Sequence, residues 1–215
     1  MSSAPSGGRR LVLLRHGRTA YNHEKRVQGQ REVELDDVGH AQAAAVAPVL
    51  AALAPDLLWS SDLTRARQTA AYLAKETGLE AVHDARLREY HLGERQGITH
   101  DEYAAAHPAE YLEFRQAHYD VVPGAEPTVE VVARMRAVVA DLLAALPPGG
   151  LGVAVSHGAA IRISLAPLLG LPGDTVESLR ALDNCGWVEL SEDPDGSPTP
   201  RRLRLAAYNR VAPAG

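Results

Sequence analysis

The chain has 215 residues, 46% of them hydrophobic and 23% charged, with a net charge of −5 at neutral pH and a pI near 6.0. That length and apolar content suit one compact core, and an acidic balance with no basic stripe interleaved with aromatics weighs against a nucleic-acid partner. No stretch approaches the ~18 uninterrupted apolar residues of a membrane span, "MSSAPSGGRR" has no apolar leader region, and the single cysteine, Cys185, reads as a small buried hydrophobe of a reducing, cytoplasmic compartment.

Residues 1–9, rich in Ser, Gly and Pro, are expected to be a disordered lead-in, with 10–215 forming one domain. "LVLL" (11–14) is a short apolar run bounded by glycine, the pattern of a buried strand in a parallel sheet. Residues 40–54 have the alanine content of a helix that Pro48 should kink or restart. "DLLWSS" (56–61) is a second strand, followed by the helix "SDLTRARQTAAYLAKETG" with Ser61 or Asp62 as its N-cap and Gly78 as its stop. A third strand is expected within 80–88. Residues 89–126 are dense in Tyr and His without a strand signal, and read as a helical insertion over one end of the sheet. Thr128 opens a long helix that ends at Pro147; "LGVAVSHGAAIR" is strand, turn and helix; "CGWVEL" and "RRLRLAAYN" are two more strands flanking a polar turn at 192–200. Strands alternating with helices predict an α/β three-layer sandwich around a mostly parallel sheet.

Two strand exits share one pattern, an aliphatic run and then His16–Gly17 or His157–Gly158. In open α/β sheets ligands gather outside the carboxyl ends of the strands, where the strand order reverses. If these two strands are neighbours, the histidines face each other there. Each glycine would let a ligand approach the backbone, the helix after His157 would aim its N–H groups at an anion, and the Arg15 fork matches phosphate oxygens.

"LLRHGRTAYN", "RVQGQREVELDDVGHAQA", "SSDLTRARQTA", "LREYHLGERQG" and "VSHGAAIR" together resemble, in order, the motifs of the histidine phosphatase superfamily, the phosphoglycerate-mutase-like enzymes, over roughly residues 10–190. "HLGERQGITH" and the C-terminal strands are most similar to its actinobacterial glucosyl-3-phosphoglycerate phosphatase branch. The chain departs from many members at Arg95–Gln96, where Trp-Glu is common, and at Ala159, where mutases often carry Asn. The resemblance implies a phosphoglycerate-mutase-like fold with the lid at about 89–126. It also implies a phosphomonoesterase working on a small phosphate ester through a phosphohistidine: a sugar phosphate, a phosphoglycerate or glucosyl-3-phosphoglycerate.

On that resemblance His16 is the nucleophile and Arg15, Arg65 and His157 hold the equatorial phosphate oxygens, where positioning and electrostatics dominate the chemistry. Glu89 is the general acid and then the base, while Asn22, Gln28, Gly29, Gly158 and Ala159 line the phosphate pocket. Tyr90, His91, Tyr103, His107, Tyr111, Arg115, His118 and Tyr119 are expected to build the lid. No cofactor is expected. The nine histidines show no HExxH-like pair, so no metal is expected either. Two alternatives share the site, a phosphoglycerate-type mutase and an inactive phospho-ligand binding module. The 68-residue interval from Glu89 to His157 favours a phosphatase, since mutases usually insert more chain to shield the intermediate from water. Oligomeric state stays open, a homodimer included.

Overall fold

Strand β1 (Arg10–Arg15) is buried on both faces from Leu11 to Leu14, as its unbroken aliphatic run requires. The computed structural model describes residues 7–193 and 203–213. Around β1 lie β2 (Leu57–Ser60), β3 (Ala81–His83), β4 (Leu151–Ser156), β5 (Trp187–Glu192) and β6 (Leu203–Arg210), in the order β3-β2-β4-β1-β5-β6. The first four of that order are parallel, and β5 and β6 close one edge antiparallel. β1 and β4 are paired directly, with Leu14 opposite Val155 and Arg15 opposite Ser156. The next residue of each strand is a histidine, so the register alone brings His16 and His157 to one height.

The helices are α1 (Ala20–His23), α2 (Asp37–Ala51), α3 (Thr64–Thr77), α4 (His100–Ala106), α5 (Pro108–Arg115), α6 (Thr128–Ala145) and α7 (Gly158–Leu169). Because side chains alternate across a strand, Val12, Leu14, Val153 and Val155 pack under α2 and α3, while Leu11, Leu13 and Ala154 pack under α6 and α7. The result is the three-layer α/β sandwich expected, with the chain of 89–126 laid over the α6–α7 side. In that segment Tyr90, Tyr103, Phe114 and Tyr119 meet ring to ring at centroid distances of 4.8–5.2 Å. They form the lid's own core and merge with the main one. His91, His107 and His118 are exposed on its outside. Arg95 is buried within the lid, forked on Glu110 at 2.7 and 3.0 Å and 5.4 Å from the centroid of the Tyr103 ring.

Several local expectations are corrected. α2 starts three residues earlier than read, because Asp36 Oδ1 accepts the Gly39 N–H at 2.8 Å. It runs through Pro48 unbroken, held by Val46, Ala47 and Leu50 against the sheet. Neither Ser61 nor Asp62 caps α3. The Thr64 N–H donates instead to Glu32 Oε2 at 2.9 Å, while Asp62 forks with Arg88 at 2.7 and 2.6 Å. The third strand does lie within 80–88 as expected, and it stops after three residues because Asp84 Oδ1 accepts the Arg86 N–H and turns the chain into a 3₁₀ segment. Of the N-terminal lead-in, residues 1–6 lie outside the described part. Arg9 is anchored, donating from Nε to the Leu146 carbonyl at 2.9 Å and pairing with Glu192 at 3.4 Å. Most of the polar turn expected at 192–200 also lies outside the described residues.

Candidate active site

His16 leaves β1 fully enclosed, 2% exposed, with its ring 5.1 Å from that of His157, which is 0% exposed. His16 Nδ1 lies 2.7 Å from the Gly17 carbonyl, an acceptor only, so that nitrogen carries the proton. Nε2 is therefore left with its lone pair, towards which Arg65 Nε–H points at 3.2 Å. Burial, together with the Arg65 and Arg15 guanidiniums, holds His16 well below the ordinary histidine pKa. His157 is held low by burial, then by Arg65 and His16. Both rings are thus neutral at pH 7.

The arginine at 65 is wholly buried on α3. Its Nη1 and Nη2 donate to the carbonyls of Arg31 (2.9 Å) and Gly29 (2.8 Å), so the 28–31 loop, α3 and β1 are fastened through one guanidinium. Burial lowers its pKa to about 10, which leaves it charged. Arg15 is also lowered by burial, with Glu89 the strongest anionic influence on both arginines. One Arg15 Nη donates to the Leu182 carbonyl, and Arg15 Nε has no partner. His157 Nδ1 is likewise buried and unpaired, while its Nε2 meets Ser61 Oγ at 2.9 Å. Ser61 already accepts from the Leu63 N–H at 3.3 Å. Its O–H is free to donate to Nε2, and in that arrangement the proton of the imidazole lies on Nδ1.

The N-terminus of α7 is occupied differently from the expectation. The N–H groups of Ala159 and Ala160 donate to Glu89 Oε2 (3.0 Å) and Oε1 (2.8 Å), and the Tyr90 N–H adds a third bond at 3.0 Å. The helix end thus holds Glu89 beside the histidines, so the Ala159 N–H expected to line the phosphate pocket is already engaged. The two glycines also do other work. A Cβ at Gly17 would lie 2.5 Å from the Gly39 carbonyl oxygen, and one at Gly158 would lie 3.2 Å from Arg15 Nε. Their missing Cβ atoms give room to α2 and to Arg15.

Asn22 and Gln28 are joined through Thr19. Thr19 Oγ1 donates to Gln28 Oε1 at 3.0 Å, and Asn22 Oδ1 accepts from the Thr19 N–H at 3.2 Å. Four residues that sequence reasoning missed complete the site. Ser61 orients His157. Asn184 Nδ2 donates to the His16 carbonyl (3.2 Å) and to Asn22 Oδ1 (3.1 Å). Thr69 Oγ1 accepts the Gly17 N–H at 3.0 Å and donates to the Arg65 carbonyl. Arg134 donates to the carbonyls of Arg86, Arg88 and Glu89 and pairs with Glu126 at 2.7 Å, so it clamps the segment that carries Glu89. The only signal available for Arg134 was a cation one residue from the apolar stripe of α6.

The model of the histidine phosphatase superfamily (branch 1) matches residues 11–204. A glucosyl-3-phosphoglycerate phosphatase of Mycobacterium tuberculosis is 43% identical over 213 residues, covering 95% of this chain and 96% of that protein. One of Mycolicibacterium vanbaalenii is 41% identical at the same coverage. The solved structure of a mycobacterial glucosyl-3-phosphoglycerate phosphatase in complex with VO3 superposes with a TM-score of 0.85 at 43% identity, covering 94% of this chain and 98% of that one. With a family match spanning most of the chain and two full-length relatives above 40% identity, this protein belongs to the histidine phosphatase superfamily.

Proposed function

We propose that this chain is a phosphomonoesterase that hydrolyses a small phosphorylated metabolite of the glucosyl-3-phosphoglycerate type through phospho-His16. The observation that carries the reading is the tautomer of His16. Its proton is committed to the Gly17 carbonyl, and its Nε2 lone pair lies among Arg15, Arg65 and His157.

Nε2 attacks phosphorus as the bond to the ester oxygen breaks. Arg15 Nε and His157 Nδ1, both buried without partners, take the equatorial oxygens together with the free N–H groups of Arg65. Gln28, whose carbonyl oxygen is held by Thr19, presents its NH₂ to the same group, and Asn22, Gly29 and Gly158 complete the pocket wall. The Glu89 carboxyl gives its proton to the departing alkoxide. In the second step the carboxylate takes a proton from water as that water attacks phospho-His16. Nothing in this sequence calls for a metal or a cofactor, since the charge on the phosphoryl oxygens is met by guanidinium and imidazole. A cytoplasmic setting accords with the single buried thiol of Cys185, and no described helix is long and apolar enough to cross a membrane.

Phosphorus NMR of a reaction with 3-phosphoglycerate or its glucosylated relative tests the reading against a mutase. Inorganic phosphate is expected to accumulate in proportion to substrate consumed. A 2-phospho isomer rising to equilibrium with almost no free phosphate would refute it. Acid quench followed by mass spectrometry under alkaline conditions is expected to place the trapped phosphoryl group on His16.

A further inference from the structure

The loop that grips Arg65 and the segment that carries Glu89 come from different parts of the chain, yet a run of hydrogen bonds joins them. The carbonyls of Gly29 and Arg31 hold the Arg65 guanidinium at 2.8 and 2.9 Å. Gln30, between those two residues, donates from Nε2 to the main-chain carbonyl of Glu89 at 3.0 Å, across a sequence separation of 59 residues. The N–H of Gln30 donates in turn to Gln96 Oε1 at 2.7 Å, and the Leu92 N–H reaches the same oxygen at 3.4 Å. Gln96 Nε2 faces His91 Nε2 at 3.3 Å. Next to these contacts the backbones pair directly, the Val27 N–H to the Ile98 carbonyl at 2.9 Å and the Gly97 N–H to the Val27 carbonyl at 2.8 Å.

Two observations tie this bridge to the catalytic centre. Gln96 is seated directly on the loop that holds Arg65: a Cβ at Gly29, where φ is +55°, would lie 1.9 Å from Gln96 Oε1. The glycine conformation and the amide of Gln96 are therefore fitted to one another. The second observation is the origin of the partners of Glu89. Ala159, Ala160 and Arg134 belong to α7 and α6 on one side of the sheet, and Tyr90 to its own segment. Among the described residues, Gln30 is the one hydrogen-bond partner of Glu89 that comes from the loop gripping Arg65. The α7 bonds fix the carboxylate end of Glu89, whereas Gln30 and Arg134 fix its main chain.

We propose that Gln30 and Gln96 are positioning residues for the acid/base step: Gln96 fixes Gln30, and Gln30 holds the Glu89 main chain at a set distance from the phosphoryl group gripped by Arg65. This deepens the phosphatase reading and rests on it. Both glutamines act through Glu89. Proton transfer to the ester oxygen needs donor and acceptor within hydrogen-bond reach, and a misplacement of about 1 Å can cost on the order of 10²-fold. A bridge from the phosphate loop to the acid sets that separation.

Gln30→Met and Gln96→Met keep the length of each side chain and remove its hydrogen bonds. Phosphoenzyme formation is followed by single-turnover quench-flow with 3-phosphoglycerate, whose alkoxide needs a proton to leave, and with p-nitrophenyl phosphate, which leaves unaided. The ratio of the two rates, alkyl over aryl, is expected to fall by about 3- to 10-fold in Gln30→Met, the worth of one neutral hydrogen bond, and to fall in the same direction in Gln96→Met. Both esters place a phosphate against the same arginines, so the ratio divides out any change in that grip. A ratio that either variant leaves unchanged overturns the proposal. Hydrogen exchange read by mass spectrometry needs no turnover. Residues 89–92 are expected to exchange faster in Gln30→Met, and both 28–31 and 89–92 in Gln96→Met, while β4 keeps its wild-type rate. No change in these segments, or a uniform rise along the whole chain, would also overturn the bridge. Absence of phosphate release from either ester by the wild type would instead refute the phosphatase reading, and the exchange pattern would still decide whether the two segments are coupled.

Discussion

Replacing Glu89 by Gln keeps the size of the side chain and removes its proton, yet the structure makes the change more than a loss of acidity. Both carboxylate oxygens accept backbone N–H bonds, Oε1 from Tyr90 and Ala160 and Oε2 from Ala159, at 2.8–3.0 Å. A glutamine can offer its oxygen to one side only, so its NH₂ must face at least one N–H at the end of α7. Bonds to a charged group are worth about 1.5–3 kcal/mol each. With at least one lost, partly offset by water at a half-buried position, the cost is about 2 kcal/mol. In a chain of 215 residues that lowers Tm by roughly 4–8 °C. The kinetic effect is selective. Alkyl phosphates, whose alkoxide needs a proton to leave, are expected to slow by about 10²–10⁴-fold. Phosphoenzyme formation from p-nitrophenyl phosphate, which leaves unaided, is expected to change far less. Thermal denaturation and single-turnover quench-flow measure the two effects separately. Equal slowing of both esters would refute the acid role, and an unchanged Tm would refute the three-donor cradle.

Ser61→Ala removes the partner of a buried imidazole nitrogen, so it is expected to cost about 1–3 kcal/mol in stability and to lower kcat/KM, with Ser61→Thr recovering most of the activity; full activity in Ser61→Ala would show that the hydroxyl does not position His157. Exhaustive dialysis against EDTA is expected to leave phosphate release unchanged, and vanadate, which mimics five-coordinate phosphorus, to inhibit; a large loss restored by magnesium or zinc would contradict the arginine-based mechanism. His16 and His157 are both held below the ordinary value of 6.5, so the unfolded chain binds these protons first as pH falls. Their contribution to stability is therefore complete above about pH 6.5 and declines below it, by up to about 2.7 kcal/mol per pH unit for two sites. His118 has the opposite sign. Raised by Glu113 and then Glu177, it stabilises at low pH and loses that effect as pH rises through its folded value. Urea titrations at pH 7.5, 6 and 5 measure the balance, and a flat or rising stability towards pH 5 would contradict the burial of two neutral histidines.

The strand–helix alternation and the two His–Gly exits were legible in the sequence because they follow from local chemistry. An aliphatic run of four or five residues can only be a buried strand, and a strand that ends in Arg–His or Ser–His must deliver those groups to its carboxyl edge. Arg15, His16 and His157 could therefore be placed from those exits, Arg65 and Glu89 were named from the family resemblance, and the structure brings all five together. Their partners could not be named, because each comes from a part of the chain with no local pattern to announce it. Ser61 and Asp62 have the composition of a helix cap, yet β2 places Ser61 against His157, Arg88 claims Asp62, and Glu32, thirty-two residues before Thr64, caps α3. The N–H groups of α7 have the chemistry of an anion site, but the fold delivers Glu89 to them from 70 residues away. The tyrosines were expected to build the lid, but only packing makes Tyr90 and Tyr103 its core and leaves the arginines at 115, 162 and 180 around a cleft. Periodicity and cap chemistry act over a few residues, and they determine which elements form. Which donor meets which acceptor depends on the strand order β2-β4-β1 and on the lid laid across it, long-range pairings that no local run of residues encodes.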